Sequence, residues 1–199
     1  MNKIIKINDA ISYSLYNKIK NTIFHPSFPW YWLEDPSDEK HQEAVNDTTA
    51  FNSTVYINEV SNPKIDSLLA GNLESAAVTI ADRCDIRFNN LIRIRIGLLP
   101  RKQNVFINRP HIDFEENHNT MLIYLSTCNA PTLIYKNKYM LNQNMSSYEY
   151  CERNKGTFEL DEEIACIDNT AVIFNGLRYH SSSFPTDVNR RIVATINFQ

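Results

Sequence analysis

The second half of the chain is dominated by short stretches in which apolar and polar residues alternate. This period of two is typical of β-strands that bury one face. The N-terminal part has a different pattern, because Ile11, Leu15, Ile19 and Ile23 recur every four residues, as along one face of a helix. The predicted strands cover residues 3–7, 51–57, 91–99, 106–115, 120–126, 132–135, 157–160, 171–174 and 191–198.

Two predicted helices precede most of these strands. The first follows a candidate N-cap at Asn8 or Asp9, and the second runs from Pro63 to about Ala81. Many short strands with few helices between them are typical of a barrel or sandwich. The sequence therefore predicts a mainly β protein of the α+β class, a double-sheet jelly roll whose N-terminal helices pack on the larger sheet. We expect residues 1–199 to form a single domain, with 1–89 supporting a β core at 90–199.

The composition argues against several functional classes. A net charge of −3 gives no electrostatic reason to expect nucleic-acid binding, although Arg93, Arg95, Arg101 and Lys102 could form a local basic patch. No apolar run reaches the roughly 18 residues of a membrane span, and the N-terminus does not read as a signal peptide. Four cysteines without paired metal-binding spacing favour reduced thiols and a cytoplasmic location.

The segment 108–114 carries the first residues with a clear chemical pattern. His111 and Asp113 lie two positions apart in a predicted strand, so their side chains should project to the same face. Taken alone the pair is a weak motif, and a surface loop without a role is the alternative. His180, far along the chain, supplies a second imidazole. Two histidines and one carboxylate with open positions are typical of non-haem iron(II) oxygenases.

The last predicted strand has two distinct faces. Arg191, Val193, Thr195 and Asn197 share one face, whereas the opposite face is entirely apolar. The apolar face should pack on the N-terminal helices, so Arg191 should face the interior of the barrel. A buried guanidinium requires an anion, and its planar fork suits a carboxylate in two-point contact. An internal Asp or Glu is the alternative partner.

Together these residues resemble the iron(II)- and 2-oxoglutarate-dependent dioxygenases, most closely the short prolyl-4-hydroxylase-like members, including phage-encoded ones. The family pattern is His-x-Asp, a distal His and a basic residue about ten positions later. His111, Asp113, His180 and Arg191 match it in order and spacing. The resemblance implies a double-stranded β-helix, an iron(II) ion held by the first three residues, and a contact between Arg191 and the distal carboxylate of 2-oxoglutarate.

Further segments extend the resemblance over most of the chain. Tyr124, in Tyr-Leu-Ser, is similar to a family tyrosine that contacts the same carboxylate, and Thr195 occupies a position where the family often has Ser or Thr beside it. The sequence departs from the family at 129–132, where relatives often have paired glycines, and in a long polar insert at 137–155. His118 could compete as a ligand, but it lies in a polar turn outside the strand phase.

The resemblance also implies an activity. Such enzymes use dioxygen to hydroxylate a substrate C–H bond while 2-oxoglutarate gives succinate and carbon dioxide, often with ascorbate to keep the iron reduced. Peptidyl proline is the favoured substrate by resemblance, and a nucleobase or small metabolite remains open. The alternative is a non-redox cupin-like jelly roll that binds a metal or ligand, or acts as an isomerase. For 137–155 we predict a mobile loop at the substrate rim, with a solvated hairpin of no role as the alternative.

Overall fold

Two antiparallel β-sheets face each other and enclose a cavity, in a computed structural model that describes residues 3–34, 50–58, 67–141 and 143–199. The strands are β1 (Ile5–Ile7), β2 (Tyr31–Leu33), β3 (Ala50–Ile57), β4 (Leu91–Pro100), β5 (Asn119–Tyr124), β6 (Cys128–Lys138), β7 (Leu160–Cys166), β8 (Ala171–Asn175), β9 (Arg178–Ser182) and β10 (Arg190–Phe198). The helices are α1 (Tyr13–Ile23), α2 (Ser67–Arg83) and α3 (Ser147–Arg153).

The larger sheet has seven strands in the order β1, β8, β5, β10, β4, β3 and β2. The smaller sheet has three, in the order β7, β6 and β9. The segment that carries His111 extends the smaller sheet beside β9 through two isolated bridges, at Ile107 with Ser183 and at His111 with His180. The predicted double-stranded β-helix of a mainly β protein is therefore confirmed.

Strand β10 lies in the middle of the larger sheet and has the two predicted faces. Ile192, Ala194 and Ile196 point outward into a core shared with buried residues of α1 and α2, such as Ile19 and Leu73. Burial of this apolar face stabilises the fold by about 25 cal/mol for each Å² of apolar surface removed from water. The predicted packing of the N-terminal helices on the larger sheet is thus confirmed, and the opposite face of β10 is directed between the two sheets.

Helix α1 begins later than the candidate cap predicted. Asp9 adopts a left-handed conformation with φ of 47°, and the backbone N–H of Ala10 donates to the carbonyl of Asn169. The Asn169 side chain also accepts from the N–H of Ile11 and donates to its carbonyl. These bonds hold the chain extended, so Ser12 becomes the N-cap instead of Asn8 or Asp9. The predicted start of the second helix, Pro63, lies outside the described residues.

The prediction of a strand over 106–115 is wrong in detail. Asn108 and His111 donate their backbone N–H groups to β9, but Pro110 between them has none to give. The segment is therefore an irregular edge with only two bridges, one to His180 of β9 and one to Ser183 just after it. Strands β2 and β9 and helix α3 were not predicted at all, and the strand predicted at 157–160 is wrong in position, because β7 runs from Leu160 to Cys166.

Helix α3 changes the interpretation of the 137–155 insert. Ser146 forms a capping box with Glu149, each side chain accepting the backbone N–H of the other residue. Cys151 is buried, and Tyr150 stacks on Tyr179 of β9 with ring centroids 5.3 Å apart. A packed helix thus replaces the predicted mobile loop over this part of the insert, and it covers the outer face of the smaller sheet. Within the described segments, no helix combines the length and apolarity that a membrane span requires.

Candidate metal centre

His111 and His180 face each other directly across two neighbouring chain segments. Each donates its backbone N–H to the carbonyl of the other, over 3.0 and 2.9 Å, and their ring centroids are 4.5 Å apart. Asp113 lies two residues further along the same segment. Each of the three side chains offers one atom that could coordinate a metal ion, and these three atoms lie within 4.8 Å of one another. The structure therefore brings the three predicted ligands together.

Both imidazoles use Nδ1 to bind a backbone carbonyl and leave Nε2 available for a metal ion. His111 Nδ1 lies 3.3 Å from the carbonyl oxygen of Arg109, and His180 Nδ1 lies 3.2 Å from that of Arg178. A carbonyl oxygen can only accept, so Nδ1 carries the proton in each ring and Nε2 keeps a free lone pair. Orientation of a ligating imidazole by a hydrogen bond from its other nitrogen is typical of metal centres.

Burial keeps both imidazoles neutral. It lowers the pKa of His111 to about 3, with a further contribution from the neighbouring His180. Burial also lowers the pKa of His180, although the Asp113 carboxylate acts in the opposite direction. A neutral imidazole is the form that coordinates a metal ion.

Asp113 is held by three donors. Arg93 Nη2 donates to one carboxylate oxygen over 2.7 Å, while Asn197 Nδ2 and the Thr120 hydroxyl donate to the other over 2.9 and 3.2 Å. Burial alone would raise the pKa of Asp113, but the Arg93 guanidinium holds it well below its usual range. The carboxylate is therefore ionised and fixed in orientation.

The three residues that hold Asp113 were not predicted to belong to the site. Arg93 was a candidate for a basic surface patch, but it is buried and forms an ion pair inside the protein. The alternation of residues along β10 could have indicated this role for Asn197, because it places Asn197 on the same inner face as Arg191. Asn197 is in turn paired in register with Arg93 of β4.

A cavity opens in front of the three candidate ligands, between the two sheets. Residues from β2, β3, β4, β5, β6, β9 and β10 line it. The polar and charged lining residues besides the candidate ligands are Asn52, Arg95, Thr132, Ser182, Arg191 and Thr195. Among the described lining residues Asp113 is the single carboxylate, and Arg93 already pairs with it. Among these residues, Arg191 is the cation whose position suits an anionic ligand.

Arg191 lies on this lining and is almost completely buried. Its Nε donates to the carbonyl of Ala130 over 3.0 Å, and its Nη2 donates to the Thr132 hydroxyl over 2.7 Å. No carboxylate of the described residues forms an ion pair with it. The internal Asp or Glu considered as an alternative partner is therefore not found within the described part of the chain. The two neutral contacts come from 129–132, the segment in which the sequence departs from the family pattern.

Tyr124 and Thr195 differ in how they relate to the cavity. Thr195 lines it directly, four residues after Arg191. Tyr124 is fully buried behind the lining, and its hydroxyl donates to the Thr132 hydroxyl oxygen over 2.8 Å. Thr132 thus accepts from both Tyr124 and Arg191, which leaves its own proton free to donate to a ligand. Tyr124 reaches the cavity only through Thr132, a residue that the sequence interpretation missed.

His118 does not join the metal-binding group found among the described residues. It is buried, its Nδ1 bonds to the carbonyl of Glu116, and its Nε2 has no hydrogen-bond partner. The ring is packed against Gly176, where an added Cβ would lie 2.0 Å from Nε2. His118 therefore fills space beside β8 and the glycine, and it is not a competing ligand.

Comparison with solved structures supports the same fold. A prolyl hydroxylase from Trichoplax adhaerens, in complex with a hypoxia inducible factor oxygen degradation domain peptide fragment, superposes with a TM-score of 0.64 at 13% identity, over 100% of this chain and 84% of that one. A 2OG-Fe(II) oxygenase family oxidoreductase from Burkholderia pseudomallei gives 0.63 at 10% identity, over 98% and 85%.

The α-ketoglutarate-dependent epimerase SnoN from nogalamycin biosynthesis gives a TM-score of 0.62 at 7% identity, over 100% of this chain and 78% of that one. The sequence itself matches no family model and no curated protein. At these identities the likeness concerns the fold. The chain has the double-stranded β-helix fold of the 2-oxoglutarate oxygenases, with the prolyl hydroxylases among its structural neighbours.

Proposed function

We propose that this protein is an iron(II)- and 2-oxoglutarate-dependent dioxygenase that hydroxylates a C–H bond of its substrate. One observation carries the proposal. Three side chains suited to bind a metal, and an arginine without a carboxylate partner among the described residues, face the same cavity. A metal-binding jelly roll without a co-substrate has no need of the arginine.

His111, Asp113 and His180 would hold the iron ion. The two Nε2 lone pairs and one carboxylate oxygen form the two-histidine, one-carboxylate donor set that leaves coordination positions open. When bound, iron(II) supplies the chemistry by which dioxygen oxidises 2-oxoglutarate to succinate and carbon dioxide and hydroxylates a substrate C–H bond. The protein contributes the geometry of the ligands and a cavity between the two sheets.

Arg191 would bind the distal carboxylate of 2-oxoglutarate. Its Nη1 group is not used by any described protein partner, and the proton of Thr132 is free in the same region. Thr195 lines the adjoining wall. These groups can donate together to one carboxylate, and charge-assisted bonds of this kind are about twice as strong as neutral ones.

For the substrate, we propose a prolyl residue in a peptide. This choice is supported by the fold shared with a prolyl hydroxylase in complex with a peptide. The same fold also occurs in an epimerase, so hydroxylation itself must be tested together with the substrate. We propose a cytoplasmic location, which four unpaired cysteines support.

The first experiment tests the centre without a substrate. Under anaerobic conditions, iron(II) with 2-oxoglutarate should give a visible charge-transfer band in the wild type. His180→Gln should abolish it, whereas His25→Gln should leave it unchanged, because His25 is exposed, follows α1 and does not line the cavity. Iron binding without any response to 2-oxoglutarate would favour the non-redox cupin-like alternative.

The second experiment tests turnover. Succinate formation is measured with iron(II), 2-oxoglutarate, dioxygen and ascorbate against proline-containing peptides, oligonucleotides and small metabolites. We expect peptide-dependent succinate and an added oxygen atom on proline. Stimulation by a nucleobase or metabolite alone would retain the oxygenase and reject the prolyl substrate.

A further inference from the structure

Cys128 and Cys166 lie directly opposite each other in the smaller sheet. Cys128 opens β6, Cys166 ends β7, and the two residues are paired in the antiparallel register. Opposed residues in antiparallel strands have Cα atoms about 4.5–5.5 Å apart. This range lies within the roughly 4.4–6.8 Å that a disulfide spans. The backbone therefore already holds the two cysteines at a separation that a disulfide can bridge.

The two thiols have unequal environments. A hydrogen bond with the Cys166 thiol lowers the pKa of Cys128 to about 7, with smaller contributions from a backbone hydrogen bond at Ala130 and from Arg191, against the opposing effects of burial and Asp187. Cys128 is half-buried, whereas Cys166 is buried. A hydrogen bond with the Cys128 thiol and burial both raise the pKa of Cys166. One thiol is thus accessible and ready to ionise, and the other is positioned beside it.

The other two cysteines do not share these properties. Burial raises the pKa of Cys151 to about 11, and its thiol donates to the carbonyl of Pro110 over 3.0 Å. Burial also raises the pKa of Cys84. Because the thiolate is the form that reacts with peroxide, both should be much less reactive than Cys128.

The cysteine pair is also connected to Arg191. Ala130, two residues after Cys128, accepts from Arg191 Nε, and Thr132 accepts from Arg191 Nη2. The register between β6 and β7 shifts between Cys128 and Thr132, so these contacts lie in an irregular part of the strand. A covalent bond at Cys128 would act on the segment that orients the guanidinium.

We propose that Cys128 and Cys166 form a dithiol that peroxide oxidises reversibly to a disulfide, a modification site beside the Arg191 end of the cavity. The Cys128 thiolate attacks one peroxide oxygen, and the O–O bond breaks to give a sulfenic acid and hydroxide. The Cys166 thiol then displaces the sulfenic oxygen as water. In sum, two thiols and one hydrogen peroxide give one disulfide and two waters.

The test uses the metal-free full-length protein, so that its outcome does not depend on the proposed function. Folded protein is treated with dilute hydrogen peroxide at neutral pH, its remaining thiols are alkylated, and intact mass and peptide maps are recorded. We expect the loss of two hydrogens, a linked peptide containing Cys128 and Cys166, and recovery of both thiols with a phosphine reductant. Cys84 should be modified more than tenfold more slowly.

Three variants serve as controls. Cys84→Ser should form the disulfide as the wild type does. Cys128→Ser should form none, and Cys166→Ser should stop at a sulfenic acid that a dimedone probe captures. Circular dichroism verifies that each variant is folded. A folded wild type that keeps both thiols, or that links Cys128 to Cys84 or Cys151, would overturn the proposal.

Discussion

Replacement of Arg191 by glutamine should weaken 2-oxoglutarate binding while leaving the apo protein at least as stable as before. The guanidinium is buried and bonded to two neutral groups, the Ala130 carbonyl and the Thr132 hydroxyl. No carboxylate of the described residues neutralises it in an ion pair. A buried charge without a counter-ion is costly, and the bound co-substrate would remove that cost.

The magnitude follows from the contacts that the substitution removes. Glutamine keeps a donor but loses the charge and the two-point fork. A hydrogen bond to a charged group contributes about 1.5–3 kcal/mol, and about 1.36 kcal/mol corresponds to a tenfold change in affinity. The 2-oxoglutarate affinity should therefore fall roughly ten- to a hundredfold. Arg191→Lys should cause a smaller loss, because the charge is retained.

Two measurements separate a binding arginine from a structural one. Anaerobic titration of iron-loaded protein gives the 2-oxoglutarate affinity, and urea denaturation of apo protein gives the free energy of unfolding. We expect weaker binding and an unchanged or higher unfolding free energy for Arg191→Gln, with iron affinity unaffected. Equal 2-oxoglutarate affinities, together with a loss of stability, would mean that Arg191 serves the fold and would refute the reasoning.

Three further changes have defined outcomes. Arg93→Met should lower the unfolding free energy of apo protein at neutral pH by about 3–5 kcal/mol, because Asp113 would be left as an uncompensated buried carboxylate; an unchanged urea midpoint would contradict this. Gly176→Ala should destabilise by about 1–3 kcal/mol through its clash with His118, whereas Gly71→Ala in α2, with open space around it, should be neutral or stabilising; thermal melts that rank them the other way would refute the packing argument. The disulfide form proposed above should bind 2-oxoglutarate several-fold more weakly than the reduced form, and identical anaerobic titrations of the two forms would show that the cysteine pair does not influence the guanidinium.

The parts of the fold that sequence could predict are those in which one face of an element is buried. In β10, alternation separates the helix-facing residues Ile192 and Ile196 from the cavity-facing residues Arg191 and Thr195, and both faces lie where the pattern places them. The same periodicity put His111 and Asp113 on one side of their segment. That side-chain prediction holds although the segment is not a regular strand.

The missed elements lack such a pattern for physical reasons. Strand β9 is buried on both faces, with His180 toward the cavity and Tyr179 under α3, so its sequence does not alternate. Helix α3 has only seven residues, too few for a clear period, but Ser146 and Glu149 carry a capping-box spacing that could have revealed it. The ion pair between Arg93 and Asp113 depends on tertiary packing, and no local signal identifies that partnership.

The backbone bridge between His111 and His180 has a consequence for how such a protein can vary during evolution. The spacing of the two imidazoles is fixed by a pair of main-chain hydrogen bonds, and it does not depend on the chain length between them. The loops that connect the strands between the two histidines can therefore lengthen or shorten, as the insert that carries α3 illustrates. A single-residue insertion or deletion next to either histidine would instead turn one ring to the opposite face. We therefore expect insertions and deletions to be poorly tolerated within a few residues of His111 and His180. This should hold even at positions where the side chain itself can be replaced.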